Sequence, residues 1–153
     1  MALEIERKFL LADESWRDLV SHSERFRDGL IAAMDGRKVR VRVYEDRATL
    51  TVKSRRVAGS REEYEYEIPL NEAHELLERH CERIVLSKTR YYVPIGELIW
   101  EIDVYEGILA GVVLAEVELP SLDYDLVLPK WIAEEVTDRA DYRKVNMVRA
   151  RTR

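Results

Sequence analysis

The sequence predicts a mainly β protein with a few helices, an α+β fold built on a closed eight-stranded antiparallel barrel with a charged lumen and the helices packed outside. Three observations predict it. Apolar and polar residues alternate with period two through most of the chain, the pattern of strands with one apolar and one polar face. Turn signals separate the alternating runs at short intervals. The polar positions of those runs are charged, and the charges are sorted by strand. With 153 residues and 46% apolar content, the chain has the length and core-forming capacity of one domain, residues 1–153.

The elements follow in order. Leu3, Ile5 and Phe9 interleave with Glu4, Glu6 and Lys8, which makes the first strand. Val39, Val41 and Val43 interleave with Arg40 and Arg42, and Leu50 and Val52 with Thr51 and Lys53, giving two more. Residues 26–33, 61–68, 83–93, 99–105 and 114–119 complete a set of about eight, enough to close a small barrel. Asp35-Gly36, Glu45-Asp46, Ala58-Gly59 and Ile95-Gly96 supply turns between antiparallel neighbours. Two segments have helical spacing: residues 15–21, with Trp16, Leu19 and Val20 on one side, and residues 71–81, where Asn71 can cap and Leu76, Leu77 and Cys81 share a face. Trp16, Trp100 and Trp131 read as packing residues, Glu134-Glu135 as a solvated turn, and the basic end 149–153 as a solvated tail.

Composition excludes several classes of function. Thirty acidic against 25 basic residues give a net charge of -5, so no broad basic surface for nucleic acid or an anionic membrane is expected. The longest apolar stretch, 108–115, is interrupted by Gly111 and is far too short to span a bilayer. The chain starts with charged residues rather than a secretory signal, and its single cysteine, Cys81, cannot form an internal disulfide; both fit the cytoplasm. His22, His74 and His80 lack metal-ligand spacing.

The informative feature is the sorting of charge. Bases occur as Lys8, as Arg40 with Arg42, as Lys53, and as Lys88 with Arg90; acids occur as Glu4 with Glu6, Glu63 with Glu65, Glu101 with Asp103, and Glu116 with Glu118. Residues i and i+2 on a strand point the same way, about 6.6 Å apart. Each pair therefore sets two like charges on one face, an arrangement that is costly unless acidic strands meet basic ones or ions fill the space between. Guanidinium groups suit the oxygens of a triphosphate, and carboxylates suit magnesium or manganese. For any single pair a solvated face is the simpler reading, and it is preferred for Glu63 and Glu65. The set as a whole points to a site.

These runs carry a resemblance. Glu4-Ile5-Glu6-Arg7-Lys8 matches the Glu-x-Glu-x-Lys motif of the CYTH group, the triphosphate tunnel metalloenzymes. It is followed in the family's order by Val39-Arg40-Val41-Arg42, Thr51-Val52-Lys53-Ser54, Glu63-Tyr64-Glu65, Lys88-Thr89-Arg90-Tyr91, Glu101-Ile102-Asp103-Val104 and Ala115-Glu116-Val117-Glu118-Leu119. The resemblance covers Ala2 to about Tyr142. It implies an eight-stranded tunnel in which Lys8, Arg40, Arg42, Lys53, Arg90 and Lys144 bind the phosphates. Glu4, Glu6, Asp103, Glu116 and Glu118 would hold a divalent metal, Mg2+ or Mn2+, and Lys88, Glu4 and Glu6 would act in catalysis, a carboxylate orienting the attacking water. Two departures stand out. Where short bacterial members often have Gln-Gly-Tyr-Leu, this chain has Asp28-Gly29-Leu30-Ile31, which removes a phenol and leaves the role of Lys88 open. Near the end, either Arg143 or Lys144 could supply the late base.

The first functional expectation is hydrolysis of inorganic tripolyphosphate to pyrophosphate and phosphate, with ATP and thiamine triphosphate as further candidate substrates. A class IV-type adenylate cyclase and a non-catalytic polyphosphate- or nucleotide-binding module are the alternatives, and a merely solvated charged face is the bland one. No nucleic acid or membrane partner is expected. A homodimer is left open.

Overall fold

The structure is a computed structural model, and it describes residues 3–81 and 85–151. The expected strand start at 83–84 lies outside the described residues. Ten strands are present: β1 (Leu3–Glu4), β2 (Glu6–Leu11), β3 (His22–Met34), β4 (Arg37–Val43), β5 (Ala48–Lys53), β6 (Arg61–Ile68), β7 (Val85–Ile95), β8 (Leu98–Tyr105), β9 (Val113–Glu118) and β10 (Ile132–Glu135). Two α-helices, α1 (Leu70–Arg79) and α2 (Lys144–Arg151), and three short 3-10 turns complete the described chain. The described residues fall into two compact units, drawn from 1–5 with 24–88 and from 6–23 with 89–153.

Mainly antiparallel β with two helices is what the alternation called for; the closed eight-stranded barrel is not. The hydrogen-bonded strand order is β1-β6-β5-β4-β3-β7-β8-β9-β2-β10, ten strands with open ends at β1 and β10. One reason lies at Ile5. The expected first strand breaks there, so that Leu3 and Glu4 pair with Glu62 and Arg61 of β6, whereas Glu6 to Phe9 pair with Glu118 to Ala115 of β9. The other reason is β10, which pairs with β2 through a register irregularity between Ile132 and Glu135. Glu134-Glu135 is thus strand rather than solvated turn, and Glu135 takes a two-pronged ion pair from Arg7, at 2.9 and 2.6 Å.

In the first unit the β3–β4 connection is a two-residue turn at Asp35 and Gly36, with φ of 55° and 81°. Positive φ at both positions is the geometry that matches the twist of a hairpin, and Asp and Gly tolerate it. α1 begins after Pro69, which occupies the N-cap position, so Asn71 lies inside the helix and does not cap it. Its apolar face, with Ala73, Leu76 and Leu77, covers Val41, Val43, Ala48, Leu50 and Ile68. Alternation then turns the charged side chains of β4 to β6 to the other face.

In the second unit Phe9, Trp100 and Trp131 form a stack of ring contacts with centroids 5.5 and 5.6 Å apart, and all three are buried. Trp16 packs on Tyr91. The helix expected at 15–21 is a single 3-10 turn, Ser15–Leu19, because Val20 is already extended. The basic end is not a tail up to residue 151: Arg149 and Arg151 lie on the last turn of α2, where positive charge suits the helix dipole.

Candidate functional site

Strand register decides which side chains meet. In the first unit the polar face is laddered as Lys38–Lys53–Glu63, Arg40–Thr51–Glu65 and Arg42–Thr49–Glu67 across β4, β5 and β6. Lys38 stands directly opposite Lys53. Like charges opposite each other on neighbouring strands, about 5 Å apart at Cβ, destabilise a sheet unless a counter-charge is supplied. Glu63 supplies part of it, 4.0 Å from Arg40 and 3.9 Å from Lys53, so the solvated reading of Glu63 gives way to an ion-paired one. Thr51 bridges the middle rung, accepting from Arg40 at 3.5 Å and donating to Glu65 at 3.2 Å. Glu4, on β1, lies 3.7 Å from Arg61. Glu4 Oε2, Arg61 Nε and the Thr49 hydroxyl are buried polar atoms with no hydrogen-bond partner among the described residues. Buried groups of this kind call for an external partner.

Next to the ladder lies a deeper cluster. Arg42 makes a bidentate pair with Asp28, Nε to Oδ1 at 2.6 Å and Nη2 to Oδ2 at 2.9 Å, and its Cζ lies 4.0 Å above the Phe26 ring. The Lys88 ammonium sits 3.9 Å from Asp28 Oδ2 and 5.4 Å from the same ring. Arg42 is 4% exposed, Lys88 1%. Asp28 is the residue that sequence reasoning missed: one acid at the end of the mixed run Glu24-Arg25-Phe26-Arg27 gives no periodic signal, and its register opposite Arg42 reveals it. Leu30 is opposite Arg40, so β3 presents no hydroxyl on that rung.

The second unit has the opposite sign. Glu6 stands opposite Glu118 on β2 and β9, and Glu101 opposite Glu116 on β8 and β9, two acid pairs in adjacent rows. Lys8 is in register with Glu116, with its ammonium 3.6 Å away. Arg90 reaches Asp103 at 2.8 and 3.0 Å and Glu101 at 2.8 Å. Burial alone would lower the Arg90 guanidinium, but Asp103, by charge and hydrogen bond, then Glu101 and Glu116, hold it well above its ordinary value. Asp103 is fully buried. Paired carboxylates that repel across a strand boundary, all of them hard oxygen donors, are chemically suited to magnesium or manganese. Among the described residues no three acids, histidines or cysteines converge into a finished ligand set.

The expected site residues therefore divide between the units. Glu4, Arg40, Arg42, Lys53 and Lys88 lie in the first; Glu6, Lys8, Arg90, Asp103, Glu116 and Glu118 lie in the second. Lys144 opens α2, which packs on the 3-10 turns Gly107–Leu109 and Ala140–Tyr142 of the second unit. Among the described residues no helix is long and apolar enough to cross a membrane.

A model of the CYTH domain matches residues 2–149 of the chain. The chain belongs to the CYTH family. It is 40% identical over 149 residues to an inorganic triphosphatase of Acetivibrio thermocellus, the match covering 97% of this chain and 95% of that one. It is 37% identical over 146 residues to an inorganic triphosphatase of Nitrosomonas europaea, covering 92% and 93%. A crystal structure of an inorganic triphosphatase superimposes with a TM-score of 0.68 at 31% identity, covering 97% of this CYTH chain and 95% of the other.

Proposed function

We infer that this CYTH protein is a metal-dependent inorganic triphosphatase, hydrolysing tripolyphosphate to pyrophosphate and phosphate, with residues 1–153 working as one domain. The observation that carries the reading is the register of like charges: Lys38 opposite Lys53 in one unit, Glu6 opposite Glu118 and Glu101 opposite Glu116 in the other. Such a protein is relieved by a polyanion and a divalent cation together. Relatives that carry the same activity cover nearly the whole chain, which supports the substrate class.

Arg40, Arg42, Lys53, Lys8, Arg90 and Lys144 would hold the phosphates, the guanidinium groups through paired donors. Glu4, Glu6, Asp103, Glu116 and Glu118 would hold Mg2+ or Mn2+. The cation, when bound, neutralises phosphate charge and so favours attack at phosphorus. Glu4 and Glu6 would orient a water, one of them accepting its proton as the water oxygen bonds to the terminal phosphorus and the bond from that phosphorus to its bridging oxygen breaks, and Lys88 would offset the charge that develops on the departing pyrophosphate. A cytoplasmic setting and action on ATP or thiamine triphosphate belong to the same reading. One observation favours a second reading, a polyphosphate-binding module without turnover: Leu30 leaves the rung of Arg40 without a phenol.

The test is phosphate release from tripolyphosphate, ATP and thiamine triphosphate with and without magnesium or manganese, with cyclic AMP followed in the ATP reaction. Metal-dependent release, fastest from tripolyphosphate, is the expected result. Metal-dependent binding without release would establish the binding module, and cyclic AMP would establish a cyclase.

A further inference from the structure

We propose that Asp28 is a positioning residue of the triphosphate site, a single buried carboxylate that locks the Arg42 guanidinium and the Lys88 ammonium in one arrangement. The proposal rests on the functional reading above. An arginine side chain can turn its fork through many orientations, and a lysine is a point charge on a flexible stem. Here the fork is fixed on two sides. Nε and Nη2 are committed to the two oxygens of Asp28, at 2.6 and 2.9 Å, and the plane rests on Phe26 with Cζ 4.0 Å from the ring centroid. With two of its nitrogens and its plane held, the guanidinium is left one orientation.

Lys88 depends on the same carboxylate. Its ammonium is buried, 3.9 Å from Asp28 Oδ2, with the Phe26 ring 5.4 Å away. Two cations buried beside one another repel. Asp28 permits both charges to remain side by side. Its own negative charge works against anion binding, so the gain it brings is orientation rather than attraction. That separates it from the bases, which attract.

The substitution that tests this is Asp28→Asn, which keeps the size and one acceptor and removes the charge. With magnesium and tripolyphosphate, kcat is expected to fall at least tenfold, while KM stays level or drops because the wall has become more positive. If kcat and KM both match the wild type and only the melting temperature moves, Asp28 is structural and the proposal is overturned. A lower KM at unchanged kcat overturns it as well, since Asp28 would then act only as a brake on binding. Should the variant not fold, side-chain NMR of the wild-type protein without ligand decides: a solvent-protected Arg42 Nε–H with slow rotation about Nε–Cζ is expected, and fast averaging overturns the lock. The spectrum needs no turnover. A wild-type protein that hydrolyses nothing would therefore refute the enzymatic reading, and a rapidly averaging Arg42 would refute the role of Asp28.

Discussion

At the scale of single residues, the pair of Arg90 with the fully buried Asp103 makes the clearest demand on stability. Arg90 is held well above its ordinary value by Asp103 and Glu101, so its contribution is present at all pH below the unfolded value and is lost only as pH climbs through the folded one. Between pH 5 and 9 the intact pair should leave stability flat. Arg90→Met leaves a desolvated carboxylate without its partner, at a cost of about 3–5 kcal/mol near neutral pH. The desolvated Asp103 would then have a raised pKa, so its neutral form is favoured in the fold, and the deficit should shrink toward pH 5. Urea unfolding of both proteins at pH 5 and 8 measures this, and an equal deficit at the two values would contradict it. Charged residues of this kind were legible in the sequence because they recur every second position. Asp28 was not, since an acid that follows Glu24, Arg25 and Arg27 resembles any solvent-facing position until the strand opposite is known.

At the scale of elements, α1 lies so close to β3 that a side chain is excluded at Gly29. A methyl group there would sit 2.5 Å from Leu77 Cδ2 and 2.5 Å from Cys81 Sγ. Gly29→Ala should therefore lower stability by about 1–3 kcal/mol through overpacking, and a Leu77→Ala background should recover part of that loss. Thermal melts of the three variants check it. Elements whose period was sustained were read well: β6 runs from Arg61 to Ile68 as the alternation indicated, and the turns at Asp35-Gly36 and Ala58-Gly59 adopt the positive φ expected of them. What pattern could not show was pairing. The alternation from Leu3 to Phe9 continues unbroken through Ile5, and nothing in it announces that the two halves pair with different strands. Four residues of β10 are too few to display a period, and Trp131 beside them read as a packing residue, which signals no strand.

For the molecule as a whole, the net charge of -5 and a polyanionic substrate work against each other at long range, so recruitment depends on the local basic ladder of the first unit. Such local attraction is screened. Raising ionic strength from about 0.05 to about 0.5 M should raise KM for tripolyphosphate severalfold and change kcat little, which steady-state assays in potassium chloride would show; a salt-insensitive KM would place substrate capture on uncharged contacts. The β-rich class was legible from the period of the sequence, whereas closure depended on the two ends of the strand order, and no alternation encodes it. Those ends bear on how the protein behaves in a crowded solution. An unpaired strand edge is a template for another chain, and among the described residues β1 offers two residues of it. β10 offers four, interrupted in register and bearing Glu134 and Glu135 at its close. Both acids there are ion-paired, Glu135 with Arg7 and Glu134 with Arg139, so what limits β10 as a template is its shortness and its broken register rather than its charge.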